Sequence, residues 1–436
     1  MALQPPPSAL GAADRGAVAD ARLISRFETA MAALGPIERV PRFAAGVSGG
    51  ADSMALALLA NAWTAARGGT VRAFVVDHGL RPESATEAGL TVARLTALGI
   101  AAEILTLTDL SEGTGLAMRA REARYRVLTE ACARHGILHL LLGHHAADQA
   151  ETLMIRVVSG SGARGLGGMA GVTETGTVRI LRPLVTVPPS WLRFYLIDAG
   201  AAWVEDPSNL DRQAQRVRLR LLRNDTGGEG EGTQTLGRAA RDAGLRRTAS
   251  DIASAAALAS RVTIYPEGFA LLSPGPISPE VLAELLRTIG GAVFAPSIDQ
   301  VAPVAANPMA CTIGGVRLLP ARRLGDGWLL VREEVAAASS VPALDGAVWD
   351  GRFRLNAPQA LPVGTLLGAV GDAAVRIREH TDLPAAVLRV MPAIWRCNTL
   401  LAVPQLLYCD PIACELGCRL VFDPRHPLAG APFCPA

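Results

Sequence analysis

The residues best able to do chemistry stand in two short clusters. Ser48, Gly49, Gly50, Ala51, Asp52 and Ser53 read SGGADS, and residues 143–152 read GHHAADQAET. In the first cluster, two glycines let the backbone turn its N–H groups toward one point. A helix expected to begin near Asp52 adds the positive end of its dipole, and the Ser48 and Ser53 hydroxyls complete an anion cradle. Asp52 is a hard oxygen ligand beside that cradle, where Mg²⁺ is expected. In the second cluster, the Asp148 to Glu151 spacing puts both carboxylates on one helix face, offset by about 4.5 Å. One of them can ligate a metal while the other takes a second position or a substrate amine. His144 and His145 raise the question of zinc, but HHxxD lacks the spacing of a zinc-binding helix and the sequence offers no third ligand.

Composition narrows the chemistry. No lysine occurs among the 436 residues, so all 42 basic residues are arginine. That excludes a P-loop ending in Gly-Lys, a Schiff base and a lysine general base. Any anion must be held by Arg, by backbone N–H groups or by a metal. The cradle therefore suits a pyrophosphate that leaves as a unit better than a γ-phosphate gripped by lysine. With 40 acidic residues, a net charge of +2, 50% hydrophobic and only 19% charged residues, neither a disordered chain nor a histone-like polycation fits. Seven cysteines without regular pairing read as reduced thiols. The opening MALQPPPSALGAADRG has no basic start followed by an apolar stretch, and the long uncharged stretches are broken by Pro and Gly, so a cytoplasmic protein without a membrane span is expected.

The elements that must position these clusters follow from periodicity. Apolar runs at 42–47, 70–77, 100–107, 137–143 and 178–181 alternate with helix-period segments, the pattern of βα units on a parallel sheet. Ser84 with Glu87 makes an expected capping box, Gly99 and Gly136 end helices, and Pro188 and Pro189 open a helix that stops at Gly200. Ligands of such sheets sit beyond the carboxyl ends of the strands, where both clusters fall. The fold class expected is α/β: a parallel-sheet catalytic domain over 37–225 after an N-terminal tail and helix over 1–36. A Gly-rich linker at 226–236, a helical or mixed middle domain over 237–340 and a small C-terminal domain over 341–436 complete the reading. In the middle domain, 278–290 reads as a helix and CTIGGVRLL with WLLVREE as a hairpin around Gly325-Asp326-Gly327.

SGGADS resembles the SGGxDS signature of the N-type ATP pyrophosphatases, which split ATP between its α and β phosphates and activate a substrate as an adenylate. Other segments resemble one branch, the tRNA(Ile)-lysidine synthetases: VVDHGLR through Asp77 and Arg81, AREARY over 120–125, GHHAADQAETLMIRVVSGSGARGLGGM over 143–169, Arg182 to Leu184, and WVEDPSNLD over 203–211. Relatives commonly carry two adjacent acids where this chain has Ala147 then Asp148, which leaves Asp148 as the essential one. They also show RNxxR where this chain runs from Arg216 to Arg220.

The resemblance implies an enzyme that ligates L-lysine to C2 of the wobble cytidine of tRNA(Ile) bearing a CAU anticodon, using ATP and Mg²⁺ and releasing AMP and pyrophosphate. On that reading Ser48, Gly49, Gly50, Ala51, Asp52 and Ser53 bind ATP, and Asp52 and Asp148 hold the metal. Asp52, Arg121, Asp148, Glu151 and His145 serve catalysis. Arg121 and Arg124, three apart, share a face that can meet the triphosphate. Arg212, Arg216, Arg218 and Arg220 form a basic face suited to an RNA backbone or to phosphates. The rivals are a tRNA thiolase of the same superfamily, which needs reactive cysteines where this chain has only Cys132 before residue 311, an amidating synthetase of small molecules, and a non-enzymatic RNA-binding module.

Overall fold

The computed structural model describes residues 10–79, 83–107, 116–204, 215–409, 417–426, 428 and 433–435. The chain separates into two compact units, Met1–Ser250 with Ala431–Ala436, and Asp251–Gly430.

The first unit carries the α/β fold. Its strands are β1 (Arg42–Val47), β2 (Thr70–Asp77), β3 (Ala101–Thr106), β4 (His139–Leu142), β5 (Ala170–Glu174) and β6 (Arg179–Leu181), joined by the short strand Cys434–Pro435. The order from one edge is Cys434–Pro435, β5, β6, β4, β1, β2, β3. β6, β4, β1, β2 and β3 are parallel, whereas at the edge β5 pairs antiparallel with β6 and the short strand antiparallel with β5. The apolar runs thus read correctly as strands, while β5 was not expected: residues 170–174 are only partly apolar. They pair because the 175–178 turn is closed by the Thr175 hydroxyl and backbone.

Helices α1 (Leu10–Ala33), α2 (Ala51–Ala65), α3 (Ser84–Ala97), α4 (Leu116–Arg134), α5 (Ala146–Val158), α6 (Pro189–Asp198), α7 (Gln215–Arg223) and α8 (Glu231–Arg261) complete this part of the chain. Alternation along β1 decides which side each helix takes. Phe43, Ala45 and Val47 face a core built with α1, α2 and α6, including Leu23, Phe27, Met54, Leu56, Leu192 and Leu196. Ala44 faces the opposite core with Phe74, Leu128, Leu140 and Leu142. α2 is apolar nearly all round and is buried accordingly.

Two expectations are corrected here. Ser84 opens α3, but its hydroxyl donates to Asp77 Oδ1 at 2.6 Å, so the capping box with Glu87 does not form. Residues 231–236, read as linker, are the first turns of α8. The Asp225 carboxylate accepts from the Gly230 N–H and the Thr233 hydroxyl and so supplies the cap that glycine lacks.

In the second unit, β7 (Val262–Ile264), β8 (Ala270–Leu272), β9 (Cys311–Ile313), β10 (Val316–Pro320) and β11 (Trp328–Arg332) form one antiparallel sheet. Helices α9 (Pro279–Gly290) and α10 (Ile298–Ala306) supply its core with Leu282, Leu285, Leu286 and Val301. Ser278 caps α9 as its position before Pro279 predicts. The hairpin read from sequence is present, β10 pairing antiparallel with β11 across Gly325-Asp326-Gly327, and CTIGGVRLL additionally folds on itself at Gly314-Gly315 into β9 and β10. Strands β12 (Val341–Pro342), β13 (Val348–Trp349), β14 (Phe353–Asn356), β15 (Thr365–Ala369), β16 (Pro392–Arg396), β17 (Thr399–Val403), β18 (Tyr408–Cys409) and β19 (Arg419–Phe422) make a second five-stranded sheet and a three-stranded one. Cys409 is disulfide-bonded, contrary to the expectation of reduced thiols throughout. Among the described residues no helix is long and apolar enough to cross a membrane.

Candidate active site

Parallel register brings the chemistry to one end of the sheet. Val47 pairs with Val75 and Gly46 with Leu142, so the carboxyl ends of β1, β2 and β4 lie abreast. The chain runs outward from β1 to β2 and β3 and then returns to β4 on the other flank. The crevice at that reversal is where ligands of open α/β sheets bind.

The SGGADS turn is organised from within. The Ser53 hydroxyl accepts from the Ser48 N–H at 3.1 Å and donates to the Gly50 carbonyl at 2.9 Å. Gly49 has φ +85°, and a Cβ there would stand 2.5 Å from Thr91 Oγ1, so both backbone and space demand glycine. Its carbonyl accepts from the Val204 N–H at 2.8 Å, which places the WV of the 203–211 segment against the turn. Gly50 caps α2 without a side-chain hydrogen bond, leaving first-turn N–H groups available to an anion.

The second cluster meets the first through His145. Its Nε2 lies 3.4 Å from Asp52 Oδ2 and its Nδ1 lies 3.6 Å from Asp148 Oδ2, so the imidazole stands between the two carboxylates. The Asp148 carboxylate also accepts from the His145 N–H at 3.1 Å, closing the N-terminus of α5. Close approach is possible because Gly143 has no side chain: a Cβ there would lie 3.1 Å from the Asp52 carbonyl. Burial pulls the His145 pKa down, but Asp148, Asp52 and Glu151 outweigh it and the net shift is upward. Burial acts to raise Asp148, and His145, His144, the His145 backbone and Arg216 together bring it below the ordinary carboxylate value.

These shifts fix a pH dependence. A raised histidine stabilises fully below its unfolded value of about 6.5 and loses that contribution as pH rises through the folded value. The lowered Asp148 contributes above its own unfolded value and loses this only as pH falls through the folded one. Thermal melts of the wild type and His145→Gln between about pH 5.5 and pH 9 are therefore expected to differ most at the acid end and to converge toward the alkaline end. A constant gap would show that His145 is not charged in the folded protein.

A cleft of about 220 Å³ adjoins this centre, lined by His78, Arg121, Arg124, Tyr125, Leu142 and His144 among others. Arg121 and Arg124 thus do share a face. The Arg121 guanidinium donates to the Tyr125 hydroxyl at 3.2 Å and lies 5.1 Å from its ring centre. Burial, against Asp148 and with Arg182, Arg121 and Arg124, pushes the His144 imidazole down to about 3, so it is neutral at ordinary pH.

Glu151 is placed differently. It is fully buried beneath α5, accepts from Arg220 Nε at 2.9 Å and Nη2 at 3.4 Å, and lies 3.8 Å from Arg223. Arg220 is therefore turned inward, whereas Arg218 is exposed and Arg216 stands close enough to lower Asp148. Arg212, like Arg81 and most of WVEDPSNLD, lies outside the described residues. Sequence reasoning missed Thr91, which walls the turn, and Arg223 as the second partner of Glu151. Neither carries a local signal, since both act across the fold.

The comparisons with known proteins bear on this assembly. A PP-loop domain model matches residues 22–225. The tRNA(Ile)-lysidine synthase of Ruegeria pomeroyi is 33% identical over 381 residues, covering 83% of this chain and 88% of its own. The chain belongs to the tRNA(Ile)-lysidine synthase family. The Mesorhizobium japonicum member is 34% identical over 83% of this chain and 84% of its own, and the Novosphingobium aromaticivorans member 45% identical over 45% and 59%. Among solved structures, the U34-tRNA thiolase NcsA from Methanococcus maripaludis covers 51% of this chain and 79% of its own, with a TM-score of 0.44 and 16% identity. As a family member with a PP-loop domain, the protein is an ATP-dependent enzyme of the PP-loop ligase family.

Proposed function

We propose that the protein is a tRNA(Ile)-lysidine synthetase, joining an amine of free L-lysine to C2 of the wobble cytidine in a CAU anticodon. The observation that carries this reading is the meeting of SGGADS and GHHAADQAET at the switch point of the sheet, with Asp52, His145 and Asp148 in line. In the first step, cytosine O2 attacks the α-phosphorus of ATP. The O2–P bond forms, the bond to the bridging oxygen breaks, and pyrophosphate leaves into the cradle of α2 N–H groups and the Ser48 hydroxyl. Arg121 and Arg124 line the adjoining cleft and face the developing phosphate charge. In the second step, the lysine nitrogen attacks C2, the C2–O bond breaks, and AMP departs as the nitrogen gives up a proton. A single-stranded anticodon base can be splayed into such a cleft at modest cost.

Asp52 fits Mg²⁺. It stands beside the cradle with its carboxylate 37% exposed, and Mg²⁺ favours one or two carboxylates together with phosphate oxygens and water. Bound there, the ion would neutralise the departing pyrophosphate. Asp148 fits less directly, because His145 stands between it and Asp52 and its Oδ2 already accepts from the His145 N–H. No group of three His, Cys, Asp or Glu side chains among the described residues is arranged to hold a metal ion.

The thiolase reading is disfavoured by Cys132. It is fully buried, and burial pushes its thiol up to about 12, so it is no sulfur nucleophile. The deciding test incubates the protein with ATP, labelled lysine and tRNA(Ile) bearing CAU. Label entering the wobble base is expected. ATP turnover with sulfur rather than lysine incorporated would transfer the protein to the rival class.

Arginines of α7 separate in the same assay system. Arg218→Ala is expected to lower the slope of log affinity for tRNA against log salt by roughly one unit, as loss of one phosphate contact does. Arg220→Ala should leave the slope unchanged, since its guanidinium is held by Glu151. Equal slopes for wild type and Arg218→Ala would remove α7 from the RNA-binding surface.

A further inference from the structure

The glycine-rich loop at 159–169 is held in place from both sides. On the α5 side, the Gln149 side chain clamps Met169, its Nε2 donating to the carbonyl at 3.1 Å and its Oε1 accepting from the N–H at 2.7 Å. Arg156 Nη1 donates to the carbonyls of Gly165 and Gly168. These residues lie on the same helix as Asp148, so the loop and the carboxylate share one support.

On the other side stands Phe433, more than 260 residues away along the chain yet in the same compact unit. Its ring is buried, its carbonyl accepts from the Thr248 hydroxyl, and the Arg247 guanidinium lies 4.5 Å from the ring centre. Arg247 also donates to the Arg164 carbonyl of the loop at 3.1 Å. The ring enters a slot that exists only because two facing residues are glycine. A Cβ on Gly167 would come within 3.3 Å of it, and a Cβ on Gly244 within 2.9 Å. Cys434 and Pro435 continue the segment as a strand against β5, covering an otherwise open sheet edge.

We infer that Phe433 is a positioning residue: residues 433–435 act as a strap that wedges the glycine-rich loop between α8 and α5 and so fixes the site end of α5. The inference rests on the proposed function only in treating 143–169 as part of the reacting site.

Gly244 gives the sharpest test, because two principles predict opposite signs. Glycine to alanine inside a helix ordinarily stabilises it, whereas here the added methyl would strike the Phe433 ring and Pro435. Hydrogen exchange of the full-length protein is measured for residues 159–169, alongside ATP-to-AMP turnover with tRNA(Ile), L-lysine and Mg²⁺. Phe433→Ala and Gly244→Ala are each expected to speed exchange in the loop at least tenfold while β1, β2 and β4 keep wild-type protection. Each is also expected to lower kcat at least tenfold with the KM for tRNA changed less than about twofold. Phe433→Leu, which keeps an apolar side chain in the slot without adding atoms at the ring tip beside Gly167, should restore part of both. Wild-type loop exchange in Phe433→Ala, or slower loop exchange in Gly244→Ala alone, overturns the strap. If the wild type transfers no lysine but Phe433→Ala still exposes the loop, the strap stands and the proposed function falls.

Discussion

Asp52→Ala is expected to abolish ATP-dependent AMP release, lowering it on the order of a thousandfold, the range seen when one electrostatic contact to developing charge is removed. Binding of tRNA should change little. The carboxylate lies in the first turn of α2, beside the turn proposed to receive the pyrophosphate, and the chain has no lysine to substitute for a lost metal contact. Its Oδ2 also meets His145 at 3.4 Å, so alanine removes two things at once. Asp52→Asn separates them: it keeps a polar partner for the imidazole but loses the charge a divalent cation needs. Both variants should therefore be inactive by rapid-quench measurement of AMP. An active Asp52→Asn would mean that Asp52 serves only to hold His145, and loss of tRNA binding with AMP release preserved would refute the assignment outright.

How far the site was legible in the sequence depends on the range of the forces involved. The turn from Ser48 to Ser53 is local: two glycines, two hydroxyls and a helix start act within one turn, and periodicity of the flanking strands places it at a strand end. His145 and Asp148 were legible as neighbours for the same reason, since a capping pair spans three residues. What could not be read is which side of a helix becomes buried. Arg216, Arg218 and Arg220 look alike in sequence, but only tertiary packing turns Arg220 inward onto Glu151 and keeps Arg218 exposed. The start of α8 was hidden because its cap, Asp225, lies upstream of a glycine run that reads as a break. The packing of Phe433 against Gly167 and Gly244 was invisible because no local pattern connects them.

The pair of Glu151 and Arg220 carries the second large prediction. A carboxylate with no solvent exposure cannot remain charged without partners, and here Arg220 meets both oxygens while Arg223 stands farther off. Removing one partner of a buried pair costs about 3–5 kcal/mol because the other charge is left in low dielectric. The Arg220 side chain is 34% exposed and Arg223 survives, so Arg220→Ala belongs near the lower limit, about 3 kcal/mol. For a unit of this size that corresponds to a fall in Tm on the order of 6 to 12 °C. The function should fall with it, because Arg223 also donates to the Ala147 carbonyl at 3.1 Å, one residue from Asp148. α7 thus holds the turn of α5 that faces His145. Glu151→Leu with Arg220→Leu removes both charges together and is expected to recover much of the lost stability, as apolar replacement of buried pairs does. If that double variant also regains AMP release, Glu151 is a strut; if it is stable but inactive, Glu151 also meets a substrate amine and Arg220 occupies its place beforehand. A Tm for Arg220→Ala within about 1 °C of wild type would show that the pair holds nothing.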